Sequence, residues 1–130
     1  MKVVTDLHLH SKYSRAVSKN MTLPVMAKYA VMKGLDLLTV GDFTHPLWLK
    51  EIQEALMEKG SGIYGLKEGS VEEKKISFLL STEISSIYKQ DGKLRRIHSL
   101  IFLPTISDVE KFNQELINKG CNIKADGRPI

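Results

Sequence analysis

Asp6, His8 and His10 occupy alternate positions of Asp6-Leu7-His8-Leu9-His10. In an extended strand, side chains two apart leave on the same face, so an acid and two imidazoles project together. Two imidazoles that close suit one divalent ion such as zinc or manganese. The acid suits a ring N–H, fixing the tautomer. The competing reading is a solvated strand face with two unrelated histidines. Half of the chain's four histidines lie here, with leucines on the opposite face, which favours the metal reading.

Three further segments carry comparable groups. Gly41-Asp42-Phe43-Thr44-His45 places a carboxylate and an imidazole three apart in one loop. Both suit a metal, but Asp42 or Thr44 equally suits capping of a following helix. Ser81-Thr82-Glu83-Ile84-Ser85 sets a carboxylate in an apolar strand, costly unless it is paired or metal-bound. The bland alternative is an exposed strand end. His98, before the apolar run Leu100-Ile101-Phe102, reads alone as a hydrogen-bonded core histidine. It gains weight because all four histidines are expected at strand ends or just beyond them. Four histidines with these carboxylates suffice for roughly two or three metals, the arrangement suited to phosphoester hydrolysis. In that chemistry one ion lowers the pKa of a bound water and another steadies the leaving oxygen. Lys12, Arg15 and Lys19 follow the histidine pair and suit substrate phosphates, Arg15 by bidentate contact. Arg95 and Arg96 suit the same role, and ordinary solvated charge is the alternative for each. Tyr13 and Trp48 suit stacking on a base or plain packing. No Walker loop, nucleophile elbow or dinucleotide fingerprint is present.

The elements that position these residues read as follows. Val3 to Leu9 alternates as a strand. Ser11 to Lys19 is a polar loop. Thr22-Leu23-Pro24 opens a helix with Val25, Met26, Tyr29, Ala30 and Met32 inward, ending at Gly34. Leu35 to Val40 is a strand buried on both faces, as in a parallel sheet. Pro46 to Met57 is a helix with Leu49, Ile52, Leu56 and Met57 inward. The glycine-rich stretch 60–73 reads as an exposed, mobile loop. Lys75 to Ser85 and Lys93 to Leu103 are strands joined by an Asp91-Gly92 hairpin turn. Ser107 to Glu110 is a capping box for a helix with Val109, Phe112, Leu116 and Ile117 inward, ending at Gly120. The tail has no periodicity. The order β-α-β-α-β-β-α predicts an α/β fold with mostly parallel strands and site residues at their C-terminal ends.

The 130 residues suit one small domain, whereas a complete α/β barrel needs about 250. A net charge of +4 is compatible with a phosphate-bearing partner but does not require one. The single cysteine, Cys121, excludes an internal disulfide and suits a reducing compartment. No signal peptide and no apolar run near ~18 residues is present, so a cytoplasmic protein without a membrane partner is expected.

Asp6-Leu7-His8-Leu9-His10-Ser11 with Tyr13-Ser14 resembles the first motif of the polymerase-and-histidinol-phosphatase (PHP) domain. That resemblance implies a distorted seven-stranded α/β barrel, of which this chain would be a partial N-terminal portion, and a trinuclear metal centre hydrolysing phosphoesters. Ser14-Arg15-Ala16-Val17-Ser18-Lys19, Gly41-Asp42-Phe43-Thr44-His45-Pro46, Ser81-Thr82-Glu83 and His98 look like the endonuclease Q group, as does Gly127-Arg128-Pro129. That group nicks DNA on the 5′ side of deaminated bases with divalent metal. The resemblance covers nearly the whole chain. It implies that His8, His10, Glu83 and His98 form the catalytic, metal-holding set, with Glu83 bridging metals. Asp42 matches the aspartate of a Thr-Asp-His motif whose histidine position holds Phe43, so either His45 substitutes or that ligand is missing.

The family's later ligands, including a final Asp-x-His pair, have no counterpart after His98. The resemblance therefore implies a portion of an endonuclease acting on DNA with zinc, manganese or magnesium, completed by a partner chain or by self-association. Two other readings stay open. One is a small-molecule phosphatase of the same superfamily. The other is a non-catalytic metal-binding or assembly module.

Overall fold

The computed structural model describes residues 1–124; Gly127-Arg128-Pro129 lies outside the described residues. Two parallel connections lead the chain from an edge into the sheet. Strand β1 (Thr5–Asp6) pairs with β2 (Leu37–Thr39), Thr5 opposite Leu37. It is much shorter than the expected Val3 to Leu9. The backbone N–H of His8 turns back to Asp6 Oδ1 at 3.2 Å instead of continuing a ladder.

Helix α1 (Leu23–Lys33) joins these strands, with Pro24 in its first turn. Thr22 occupies the N-cap position, but its hydroxyl makes no capping bond; its carbonyl accepts from Met26 N at 2.9 Å. Leu23, Met26, Ala27 and Ala30 form the buried stripe. Tyr29 and Met32, expected inward, lie outside: two alanines let the helix sit close to the core, and the bulkier side chains fall on its far face. Gly34, at φ 71°, closes the helix, and the next N–H, of Leu35, reaches Ala30 O at 2.9 Å.

Helix α2 (Pro46–Ala55) buries Trp48 and Ile52. Leu56 and Met57, expected on this helix, start strand β3 (Leu56–Gly60), which leaves Met57 exposed. A tight turn through Gly60, Ser61 and Gly62, all at positive φ, leads into β4 (Ile63–Leu66). A capping box between Ser70 and Glu73 then opens α3 (Val71–Lys75). The stretch 60–73 is thus a hairpin and a helix start, not the expected loop. The element order becomes β-α-β-α-β-β-α-β-β-α, longer than expected by one hairpin and one helix.

Strand β5 (Ser77–Gln90) and β6 (Lys93–Leu103) form a long hairpin. Asp91 and Gly92, at φ 51° and 72°, make the turn that their sequence predicts. The first half of β5 lies in the sheet, parallel to β2 and antiparallel to β4. The sheet order is β1-β2-β5-β4-β3, with β6 added to β5. Parallel pairing is confined to β1, β2 and β5; the hairpin strands are antiparallel, so the sheet is mixed rather than mostly parallel.

Helix α4 (Ile106–Asn118) is capped two residues earlier than expected. The Thr105 hydroxyl accepts from Asp108 N at 3.1 Å and donates to Asp108 Oδ2 at 2.7 Å. Val109 and Asn113 face the core, Phe112 meets Phe43 edge-on, and Ile117 lies exposed rather than inward. The core centres on Leu38, Phe43, Trp48, Ile52, Phe78 and Leu80. Trp48 is fully buried and its indole N–H donates to Gly41 O at 2.8 Å, so it packs the core rather than stacking on a ligand. Among the described residues, no helix is long and apolar enough to cross a membrane.

This core assignment is measurable. Phe78→Ala should lower unfolding free energy by about 3–5 kcal/mol, since the fully buried ring leaves a cavity. Tyr29→Ser and Met32→Ser should each shift it by less than about 0.5 kcal/mol. Urea unfolding midpoints compare the three. A large loss at Tyr29 or Met32 would restore the helix face expected from sequence.

Candidate metal centre

The site begins where β2 leaves the sheet. Gly41 and Asp42 are both left-handed, at φ 64° and 49°. Only glycine fits the first position, because a Cβ there would stand 2.1 Å from the Leu9 carbonyl oxygen. The close approach brings the segment after β1 against the end of β2. Asp42, a non-glycine residue in a strained conformation, turns its carboxylate onto that segment. Oδ2 accepts from Ser11 N at 2.5 Å, Ser11 Oγ at 2.7 Å and Ser14 Oγ at 2.9 Å. Oδ1 lies 2.8 Å from His10 Nδ1.

Burial by itself pushes the Asp42 carboxyl up. The hydrogen bonds from His10, Ser11 and Ser14 outweigh that and hold it below the usual aspartate range. A carboxylate only accepts, so His10 Nδ1 carries the hydrogen and Nε2 faces the other way. The neighbouring elements hold this turn in place: Trp48 binds the Gly41 carbonyl, and Asn113 Nδ2 donates to Phe43 O at 3.0 Å.

Glu83 is the centre of the cluster. It lies on β5 four residues beyond Leu79, the last residue paired with β2, so it stands past the C-terminal end of the parallel strands. Its side chain is almost fully buried, yet three imidazoles converge on it. Glu83 Oε2 is 2.9 Å from His10 Nε2 and 3.2 Å from His8 Nε2; Oε1 is 2.7 Å from His98 Nδ1. His98 sits within β6 opposite Ser85, one diagonal step from Glu83 on the same face. It is therefore not at a strand end, contrary to the sequence expectation. The His8 and His10 rings meet edge to face at 5.3 Å.

One ligand atom each from His8, His10 and Glu83 lies within 4.8 Å of the others. A neutral imidazole lone pair aimed at a carboxylate oxygen is repulsive unless a proton or a cation lies between them. Two imidazole nitrogens and a carboxylate oxygen are a donor set suited to a divalent transition metal. Asp42 behind His10 supplies the outer hydrogen bond that orients such a ligand.

The remaining expected site residues fall around this cluster. His45 is buried at the N-cap of α2, outside the His8, His10 and Glu83 group, with its ring stacked on Tyr13 at 4.4 Å. Lys12 pairs with Glu51 at 2.8 Å, and Tyr13 Oη donates to the same carboxylate at 2.7 Å. Those hydrogen bonds to Glu51 raise the pKa of both groups, keeping the ammonium and the phenol protonated. Arg15 and Lys19 lie exposed on the loop that follows. Asp6 accepts from the His8 backbone rather than from an imidazole. Sequence reasoning assigned no role to Ser11, Ser14, Glu51 or Asn113. The serines are short polar residues directly after the histidine pair, a weak signal of local hydrogen bonding. Glu51 and Asn113 look like ordinary helix-surface residues.

No family model matches the chain. It is 34% identical over 124 residues to an uncharacterized protein of Methanocaldococcus jannaschii, covering 95% of this chain and 13% of that protein. It is 30% identical over 138 residues to the uncharacterized protein YqxK of Bacillus subtilis, covering 99% of this chain and 34% of that protein. The chain thus spans about a third or less of the length of these relatives. Among solved structures it is similar to the lesion-specific endonuclease PfuEndoQ of Pyrococcus furiosus, with TM-score 0.77 and 32% identity over 98% of this chain and 28% of that one. It is likewise similar to endonuclease Q in complex with a 27-mer duplex substrate bearing an abasic lesion at the active site. There the TM-score is 0.79 and the identity 35%, over 98% of this chain and 29% of that one.

Gly34 and Gly41 share a left-handed backbone but not their surroundings: nothing lies within 4 Å of a Cβ at Gly34. Gly34→Ala should cost about 1–2 kcal/mol, the conformational penalty alone. Gly41→Ala should cost about 3–5 kcal/mol, adding the clash with Leu9. Equal losses in chemical denaturation would show that the approach of Leu9 to Gly41 does not hold the site together.

Proposed function

We propose that this chain carries part of a metal-dependent phosphodiesterase centre of PHP type, acting on DNA as a lesion-directed repair endonuclease. The observation that carries the reading is the convergence of three imidazoles from two separate segments on the buried Glu83 carboxylate. The likeness to endonuclease Q over almost the whole chain supports a nuclease rather than another metal enzyme. The neighbour described with a duplex substrate supports DNA as the partner.

His8, His10 and Glu83 would hold the first ion, and His98, on the other oxygen of Glu83, would help to hold a second. A bound divalent ion supplies Lewis-acid activation of water and of the phosphoryl oxygens. The chain's own residues do the rest. Asp42 presents His10 with Nε2 toward the centre, and Ser11 and Ser14 keep Asp42 ionised and fixed. His45 packs on Tyr13 and shapes the wall behind the histidine segment. Lys12, Arg15 and Lys19 are assigned to substrate phosphates, with Lys12 exchanging its Glu51 partner when a phosphate arrives. The relatives are several times longer than this chain. In this reading the chain is the N-terminal portion of a PHP-type barrel domain, with further ligands supplied by residues beyond it. Nicking on the 5′ side of deaminated bases in a cytoplasmic setting goes with the same reading.

Protein purified without chelator should carry one or more equivalents of zinc, manganese or iron by elemental analysis. His8→Ala/His10→Ala should lose them while keeping the wild-type circular dichroism spectrum. Nicking of uracil- or hypoxanthine-containing duplex, assayed with the remainder of the polypeptide supplied, should vanish in the same variant. Absence of metal from folded wild type, even after incubation with each ion, would sink the metal-centre reading.

A further inference from the structure

We infer that the outer half of the β5–β6 hairpin is a DNA-backbone contact arm extending from the metal centre. The inference rests on the DNA reading of that centre and names the surface that engages the duplex.

The hairpin divides at Ser85. Up to that residue β5 is largely buried; from Ser86 round the turn to Leu100 every residue is exposed. This outer ribbon carries Lys89, Lys93, Arg95 and Arg96 against one carboxylate, Asp91. None of the four cations has an ion-pair partner among the described residues, whereas Lys12 and Lys75 are paired with Glu51 and Glu72.

The register sets their directions. Ile87 stands opposite Arg96, and Lys89 opposite Leu94. Counting by twos from Glu83, these pairs share the face that carries Glu83 and His98. Tyr88 stands opposite Arg95, and Gln90 opposite Lys93, on the other face. Each arginine therefore has an apolar or aromatic cross-strand neighbour that supports its stem and leaves the guanidinium outward.

The Ile87–Arg96 pair lies four residues from Glu83, about 13 Å along the strand. That is roughly four nucleotides of rise along one DNA strand. A strand whose scissile phosphate sits at Glu83 would thus meet Arg96 and then, about 20 Å or six nucleotides from Glu83, Lys89. A two-stranded ribbon of this width also fits the major groove. The exposed Ile87, Tyr88, Leu94 and Ile97 are unusual on a free hairpin; sugar and base edges give them a partner next to the phosphates.

The test measures binding of a short fluorescein-labelled duplex by anisotropy across a salt series. It compares wild type with Lys89→Gln/Lys93→Gln/Arg95→Gln/Arg96→Gln. The substitutions are all exposed and outside the metal ligands, so circular dichroism and metal content should match wild type. Affinity should fall at least ~10-fold. The dependence of log K on log salt should flatten by about two units or more, at about 0.9 for each phosphate that the variant leaves unneutralised. Wild type that binds duplex with the variant unchanged in affinity and slope overturns the arm while leaving the DNA reading standing. Wild type that binds no duplex at low salt overturns both. A dimer in sedimentation that Ile87→Ser/Leu94→Ser dissolves, with DNA affinity untouched, overturns the arm in favour of pairing between copies.

Discussion

The buried carboxylate of Glu83 is the constraint around which the rest of this structure is arranged. Its side chain is almost wholly removed from water, flanked along β5 by the uncharged Ser81, Thr82, Ile84 and Ser85. Left alone, such a group would cost several kcal/mol. The chain answers with imidazoles from the segment after β1 and from β6, which fixes where both must lie. His98 reaches Glu83 because the hairpin register sets the two one diagonal apart. His8 and His10 reach it only because the segment after β1 abandons its strand and crosses the ends of β2 and β5.

A second buried carboxylate makes that crossing rigid. Asp42 gathers Ser11, Ser14 and His10 into one network, with the serine bonds on its inner oxygen and the imidazole on its outer one. The turn that presents it is anchored to the core by Trp48 beneath Gly41 and by Asn113 against Phe43. Changes in the hydrophobic core are therefore felt at the histidines through hydrogen bonds rather than through loose packing. This is the supporting arrangement that ligand precision requires. The β5 strand gives the site its second direction: its inner half belongs to the sheet, and its outer half leaves the body as an exposed ribbon.

Much of this was legible in the residues. The spacing of His8 and His10 grouped them, and their rings do meet, although the strand expected to align them ends at Asp6. The costly position of Glu83 in an otherwise uncharged stretch signalled a partner, and three are present. Asp91-Gly92 announced its turn, and Gly34 and Gly120 marked helix ends, each at positive φ. Two causes lie behind the misreadings. Tyr29, Met32 and Ile117 are apolar residues on the exposed faces of α1 and α4, and periodicity alone does not say which stripe of a helix the core will accept; Met57 fell outside because α2 gives way to a strand at Leu56. The hairpin in 60–73 was masked by its own glycines, which mark tight turns as readily as loose loops.

The sequence by itself determined the chemical inventory and the local grammar: which side chains can hold a metal, which stretches extend or coil, and where the turns fall. These follow from bonded geometry and near-neighbour interactions, which a linear pattern records. Only the tertiary structure decided that Asp42 faces His10 and the serines, that His45 stacks on Tyr13, and that Lys12 answers to Glu51. Those outcomes depend on contacts between residues some thirty to forty positions apart. They turn on one close approach, Gly41 beneath Leu9, whose consequence is geometric and leaves no periodic trace in the chain.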